Sequence, residues 1–429
     1  MDTSLTRRQF IKQTALATAG AVVIGGQGFA RKLSPNDKLN LGIIGVAHRG
    51  GENLKAVTGE NIVALCDIDA NFLAAAAKQF PQAKTYNDYR RLLDQKNIDA
   101  VVISTADHTH AVITLAALKS GRHVYCEKPL THTVSEARVI AKAARKHQRV
   151  TQMGTQIHAG TNYRRVVELL QSGVIGPVRE VHVWVDVVWE PKERPADAPP
   201  VPSYLNYDLW LGPVQYRPYS PEYVPYSWRR WWVFGGGTLA DFGCHHIDLS
   251  HWGLNLRYPL TIEAEGPPVH PECAPPWLIV RYQYPARGTM PKVQLTWYQG
   301  GKRPHYFEEG KLPKWGNGSL FVGEKGMLLA DYEKHVLRPE KDFAEFVPPK
   351  PFIPDSVGHH REWIEACKTG APTTCDFDYA GALTEAVLLG NVAYRVGKKL
   401  EWNPKRLRAK NCPEADQYIR HRYRKGWKL

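Results

Sequence analysis

The chain has 429 residues and a mass of 48.4 kDa, too long for one ordinary core, so two domains are expected. Hydrophobic residues make up 43% and charged residues 23%, a globular composition that excludes a disordered or collagen-like chain. The formal charge of +14 comes without any nucleic-acid motif, and its densest cluster, Lys405 to Lys428, reads as a solvated basic segment.

Residues 5–12 read Leu-Thr-Arg-Arg-Gln-Phe-Ile-Lys, and an uncharged, Gly/Ala-rich run follows from Gln13 to Ala30. That run is too weakly apolar for a permanent membrane anchor. Arg7-Arg8 with the following Phe-Ile-Lys resembles a bacterial twin-arginine export signal, and Gly28 and Ala30 predict cleavage after Ala30. The resemblance implies passage through the twin-arginine translocation machinery, already folded, to the periplasm. Seven cysteines, an odd number with no Cys-x-x-Cys pair, argue against a disulfide scaffold and a zinc ribbon. Folding before export explains why they need not pair in an oxidising compartment.

From Lys38 onward short apolar runs alternate with amphipathic ones. Strands are expected at Leu39–Gly45, Ile62–Asp67, Ala100–Ser104, His123–Cys126 and Val150–Met153. Helices are expected after the first turn to about Thr58, then at Ala70–Phe80, Asn87–Gln95, Thr109–Ser120 and Ser135–His147. Strands without polar alternation, separated by helices, define a Rossmann-type doubly wound parallel sheet, an α/β fold covered on both faces.

The first turn reads Gly45-Val46-Ala47-His48-Arg49-Gly50, a variant of the dinucleotide fingerprint with Ala47 at the middle glycine. Gly45 permits the tight turn, and Gly50 lets the helix pack closely on the strand, with the pyrophosphate at the helix N-terminus. Asp67 lies twenty-two residues past Gly45, at the end of the second strand. It is placed either to accept from the adenosine ribose hydroxyls or to cap the helix at Ala70. Its charge opposes a 2′-phosphate and favours NAD, while Arg49 leaves NADP open.

Two strand ends and one later segment carry a family resemblance. They are Ser104-Thr105-Ala106-Asp107-His108-Thr109-His110, then Cys126-Glu127-Lys128-Pro129-Leu130, then Gly236-Gly237-Thr238-Leu239-Ala240-Asp241-Phe242-Gly243-Cys244-His245. In this order they resemble the glucose–fructose oxidoreductase/inositol dehydrogenase (Gfo/Idh/MocA) family over roughly 38–400. The part beyond is similar to a variant found in Bacteroidetes and Planctomycetes members. The resemblance implies that His48 and Arg49 line the pyrophosphate and that Thr105, Ala106 and His108 contact the cofactor. It places Glu127 and Lys128 near the nicotinamide ribose and has Gln156 close over the nicotinamide. Asp241-x-x-x-His245 matches the family's catalytic pair.

Alcohol chemistry points to the same residues. Moving hydride from a secondary alcohol needs a base for the hydroxyl proton and charge stabilisation at its oxygen. His245 suits the base, Lys128 can donate to the oxygen, and Asp241, four residues before His245, orients the substrate or the imidazole.

All thirteen tryptophans lie at or beyond Trp184, which sets a compositional boundary near residue 155. The expected organisation is a signal over 1–30, a linker over 31–37, an NAD-binding domain over 38–155, a substrate domain over 156–400 and a basic segment over 401–429. Nine prolines in the 35 residues from Pro191 to Pro225 predict an irregular loop. Val178–Val188, Pro276–Tyr284 and Lys292–Tyr298 read as antiparallel strands of an α+β domain with an open, mainly antiparallel sheet, of a kind that supports homo-oligomers in the family. Trp228, Trp231 and Trp232 are candidates for a sugar-stacking wall, with Arg229 or Arg230 binding hydroxyl or acidic groups. His245-His246-x-Asp248-x-x-His251 is read as packing and hydrogen bonding, with no metal.

The function these features predict is an exported NAD-dependent oxidoreductase that acts on a carbohydrate and retains its cofactor. An alternative is NAD-dependent glycoside cleavage by transient oxidation and elimination, a scheme outside the paired-carboxylate mechanism. A sugar or NAD sensor is the non-enzymatic reading, and the joint presence of Lys128, Asp241 and His245 argues against it.

Overall fold

The computed structural model describes residues 37–310 and 312–429; the expected signal and nearly all of the 31–37 linker lie outside the described residues. Six strands form a parallel sheet: β1 (Asn40–Ile44), β2 (Asn61–Cys66), β3 (Lys84–Tyr86), β4 (Ala100–Ile103), β5 (His123–Glu127) and β6 (Thr151–Gly154). Helices α1 (Arg49–Ala56), α2 (Ala70–Gln79), α3 (Tyr89–Asp94), α4 (Asp107–Lys119) and α5 (Val134–His147) connect them. Every residue of β4 and β6 is buried, as strands covered on both faces must be. The spatial order is β3-β2-β1-β4-β5-β6. The order reverses between β1 and β4, and this opens a crevice at the carboxyl ends of the strands. β3 is not marked in the sequence, because Lys-Thr-Tyr is only three residues long and mostly exposed at the sheet edge.

The rest of the chain adds α6 (Thr161–Gln171), β7 (Val178–Val185), α7 (Tyr207–Leu211), α8 (Gly237–Gly253), β8 (Thr261–Glu265), β9 (Leu278–Tyr284) and β10 (Val293–Gln299). There follow β11 (Gly318–Gly323), β12 (Met327–Ala330), β13 (His335–Arg338), α9 (His359–Thr369), α10 (Phe377–Val396), β14 (Leu400–Asn403), β15 (Arg408–Ala409) and α11 (Asp416–Ile419). The nine strands make one sheet, ordered β13-β12-β11-β7-β10-β9-β8-β14-β15. It is antiparallel at every pair except one. β7, which reads in the sequence as antiparallel, runs parallel to β10. The proline-rich stretch, α8 and the β8–β9 pair intervene between them, supplying the long crossover a parallel pair requires. Within Pro191–Pro225 the chain is irregular except for α7, whose N-cap Asn206 accepts from Leu209 N at 3.1 Å.

One apolar core runs through both parts. It joins Val124, Cys126 and Ile140 of the first sheet and α5 to Leu383 and Val387 of α10, Ile247 of α8, and Val181 and Leu295 of the second sheet. Arg138 of α5 reaches the buried Glu385 of α10 at 2.6 Å, and Met153 N of β6 donates to Cys375 O at 3.0 Å. All seven cysteines are buried free thiols. Among the described residues no helix is long and apolar enough to cross a membrane.

Candidate active site

A cleft of about 610 Å³ opens at the strand-order reversal, between the first sheet and α8, within the range of small-molecule sites. Its floor is the first turn. Gly45 has φ +86°, and a Cβ there would lie 2.5 Å from Ser104 O. A Cβ on Gly50 would meet Gly45 O at 2.2 Å, so α1 packs against the turn as closely as the fingerprint requires. His48 precedes α1 with φ 50° and makes no side-chain cap. No side chain caps the helix N-terminus, and Ala47, His48 and Arg49 line the cleft there. Such a cradle fits a dinucleotide pyrophosphate.

Asp67 lies at the end of β2 and lines the cleft. Its Oδ2 accepts from Val46 N at 2.9 Å and its Oδ1 from Asp69 N at 3.0 Å, which leaves each oxygen a lone pair for a ribose hydroxyl. Burial raises its carboxyl above the ordinary value, and those N–H bonds offset part of the rise. The cap of α2 is Asp69, whose Oδ1 accepts from Asn71 N and Phe72 N. Thr105 and Ala106 also line the cleft. His108 does not: its Nε2 is 2.7 Å from Trp210 O, and its ring packs against Trp210 and Phe234. Burial there lowers its pKa to about 4. As the second residue of α4 it faces the proline-rich stretch, where its imidazole is already engaged.

Glu127, at the end of β5, draws three side-chain donors to one oxygen. Its Oε1 accepts from Arg49 Nε at 3.1 Å, Asn53 Nδ2 at 2.9 Å and Gln156 Nε2 at 2.8 Å. Gln156 also donates to Tyr125 OH at 2.8 Å.

Lys128, the next residue, crosses the cleft to α8. Its Nζ donates to Asp241 O at 2.7 Å and pairs with Asp241 Oδ1. Asp241 and His245, four residues apart on α8, both line the cleft. Trp189 Nε1 donates to Asp241 Oδ2 at 2.8 Å, and Arg229 Nε lies 3.5 Å from Oδ1. Burial pushes the Asp241 carboxyl up, but the Lys128 ammonium and Arg229 guanidinium outweigh it and hold the pKa at about 2. The carboxylate therefore fixes Lys128, and among the described residues no hydrogen bond joins it to the His245 imidazole. Two of the three Nζ donors of Lys128 are used on Asp241 and one remains. The His245 pKa is lowered well below its ordinary value, first by burial and then by the nearby Lys128 charge. Its Nδ1 has no hydrogen-bond partner among the described residues. A neutral imidazole beside a spare ammonium donor can take a hydroxyl proton while the donor stabilises the oxygen.

Three further residues shape this end of the cleft. The Arg229 guanidinium packs over Trp228 at 4.3 Å, Tyr226 at 4.5 Å and Trp189 at 5.6 Å. Asp107, in the first turn of α4, is buried, and burial pushes its carboxyl well up despite Arg229. Trp189 follows β7 in sequence, and its only mark there is a tryptophan leading into the proline-rich stretch. Of the three tryptophans considered for stacking, Trp228 lines the cleft. Trp231 and Trp232 are buried, with their indole N–H groups on Glu222 O and His270 O. Of the two histidines beyond His245 in this run, His246 is packed and hydrogen-bonded, whereas His251 is packed with neither ring nitrogen bonded among the described residues. His246 stacks on Tyr332 and lies 2.8 Å from its hydroxyl, Asp248 bonds His158 and Tyr379, and His251 packs on Tyr379. No cluster of three His, Cys, Asp or Glu side chains suited to a metal occurs among the described residues.

A parallel sheet with a glycine turn at its first strand thus faces a helix that carries a lysine-held carboxylate and a histidine of lowered pKa. Residues 39–155 match the profile of an oxidoreductase family with an NAD-binding Rossmann fold, and 159–429 match that family's C-terminal alpha/beta domain. The chain belongs to the Gfo/Idh/MocA oxidoreductase family, and its first domain is NAD-binding. Inositol 2-dehydrogenase of Salmonella typhimurium is 33% identical over 226 residues, 51% of this chain and 56% of that one. Myo-inositol 2-dehydrogenase of Thermotoga maritima is 27% identical over 173 residues, 40% and 50% of the two chains. The chain thus spans about half the length of the curated relatives it matches. Among solved structures, GenD2 from gentamicin A biosynthesis, in complex with NAD, has a TM-score of 0.61 at 18% identity, covering 90% of this chain and all of that one. The WlbA dehydrogenase of Bordetella pertussis, with NADH and UDP-GlcNAcA, has a TM-score of 0.62 at 16% identity over 86% and 98%. At those identities the likeness is one of fold.

Proposed function

We propose that this protein is an exported, periplasmic NAD-dependent oxidoreductase acting on a secondary alcohol of a sugar or glycoside, with the cofactor retained through the cycle. The observation that carries the reading is the meeting of Lys128, Asp241 and His245 across the cleft from separate parts of the chain. His245 takes the hydroxyl proton, the free N–H of Lys128 steadies the oxygen, and Asp241 holds the ammonium in place. NAD supplies the hydride acceptor. The inositol dehydrogenase relatives favour a polyol or sugar substrate, and Tyr226, Trp228 and Arg229 line the cleft where it would lie. The twin-arginine leader over 1–30 favours a closed redox cycle, in which a second substrate takes the hydride back from the retained NADH, because a periplasmic enzyme has no free NAD pool. For the same reason it favours glycoside cleavage as the second reading, since hydride taken and returned leaves NAD unchanged. A domain boundary near 155 and a homo-oligomer built on the open sheet belong to the same proposal.

Lys128→Met and His245→Ala test the site. Losing a positioned base or a charged donor removes about 10²–10⁴-fold in rate. Each variant should lose most turnover on a panel of sugars, polyols and glycosides while still binding NAD and melting near the wild type. Near-normal rate of His245→Ala at saturating substrate would overturn the assignment. Export is tested by Arg7→Lys with Arg8→Lys, which should keep the full-length protein inside the cell; unchanged export removes the periplasmic reading.

A further inference from the structure

The basic segment beyond β15 is docked, and it ends up at the cofactor cleft. After α11, Tyr423 OH donates to Glu136 Oε1, at the start of α5. Arg424 then spends its donors on the α7 region: Nη2 on Asp208 O, Nη1 on Asp208 Oδ1 and Nε on Gly212 O, each at 2.6 Å. Its backbone N donates to Pro213 O at 3.0 Å, and Gln215 donates to Arg422 O at 3.2 Å. A turn closed by Trp427 N donating to Arg424 O carries the chain back over the first domain. There the Trp427 ring lies 6.4 Å from the Tyr89 ring, and the Arg90 guanidinium is 5.3 Å from it, held in turn by Asp88 at 2.7 Å.

Trp427 lines the cleft together with Asn87, Asp88 and Tyr89, which follow β3 and lie on the far side of Asp67 from the first turn. In a dinucleotide fold the acid at the end of the second strand holds the adenosine ribose, so the adenine half lies at that end. We propose that Trp427 is a wall of the adenine subsite and that residues 420–429 form a strap that retains NAD from that side. The inference rests on the NAD-binding domain and is independent of which alcohol is oxidised. Arg424 is the positioning residue: it touches no cofactor and fixes the turn that presents the indole, with its own guanidinium 5.7 Å from the Trp427 ring.

The test uses calorimetric titration of the full-length protein, stripped of nucleotide, with NAD, AMP and nicotinamide mononucleotide. Removal of an aromatic partner from a base costs about 5- to 100-fold in affinity. Trp427→Ala should weaken NAD and AMP by the same factor within that range and leave the mononucleotide unchanged. Trp427→Phe should recover most of the loss, and Arg424→Ala should reproduce the pattern of Trp427→Ala. Circular dichroism melts of each variant report folding separately. Unchanged AMP affinity in Trp427→Ala overturns the proposal, and so does an equal fall for AMP and the mononucleotide. Absence of NAD binding by the wild type would instead strike the cofactor site itself, and is read apart from the strap.

Discussion

Asp241→Asn keeps the side-chain shape and removes the charge on which Lys128, Arg229 and Trp189 converge. The Asp241 carboxyl is held at about 2 against an ordinary 3.8, since Lys128 and Arg229 outweigh burial. At about 1.4 kcal/mol per pKa unit, that difference favours the folded state by about 2 kcal/mol. Because the folded value is the lower one, the contribution is complete above pH 3.8 and fades as the pH falls towards about 2. At pH 7 the replacement should therefore cost about 2 kcal/mol, or about 4–8 °C on the scale of a 150–250-residue domain. Thermal melts of the wild type, Asp241→Asn, Lys128→Met and the double replacement measure it. The double replacement should lose about 2 kcal/mol less than the sum of the singles, because the second removal deletes a charge already stripped of its partner. Strictly additive losses would refute the ion pair as the source of the depressed carboxyl.

Two other outcomes follow from the cradle. Asp67→Ala should weaken NAD more than NADP in calorimetric titration, because it deletes a ribose acceptor and a charge opposed to the 2′-phosphate; equal losses would mark a purely structural carboxylate. Gly50→Ala drives a Cβ to 2.2 Å from Gly45 O, and overpacking of this kind costs about 1–3 kcal/mol. The variant should melt lower and bind NAD more weakly, and wild-type values for both would contradict the close approach of α1 to the turn.

The parallel sheet was legible because burial on both faces leaves unbroken apolar runs such as Ala-Val-Val-Ile of β4. The three-residue β3 offered no such run, and its place was set by pairing with β2. The direction of β7 was hidden for another reason: alternation marks a strand without naming its neighbour, and β10 lies more than a hundred residues away. In the cleft, Lys128 and the Asp241-x-x-x-His245 pair are marked in the sequence by motifs that resemble those of the family. His108 stood in the same kind of motif, but α4 is buried nearly all round, so helical periodicity could not say which way the ring points. Trp189 and Arg229 reach Asp241 only through tertiary folding. Trp427 was concealed by its charged neighbours: arginine next to lysine reads as solvated, yet the donors of Arg424 are spent on Asp208 and Gly212.

The apolar core that runs unbroken from β5 through α10 to β7 and β10 also governs how the molecule can move. A hinged dehydrogenase gapes by swinging one lobe from the other along a thin, polar seam. Here the seam is filled by Leu383, Val387 and Ile140, with the Arg138–Glu385 pair beside them, and a swing would bring that apolar surface into water at about 25 cal/mol for each Å². Parting the lobes is therefore costly compared with moving the small parts around the mouth of the cleft. On that energetic ground a bound dinucleotide would leave more cheaply by displacing side chains at the rim than by prising the two sheets apart.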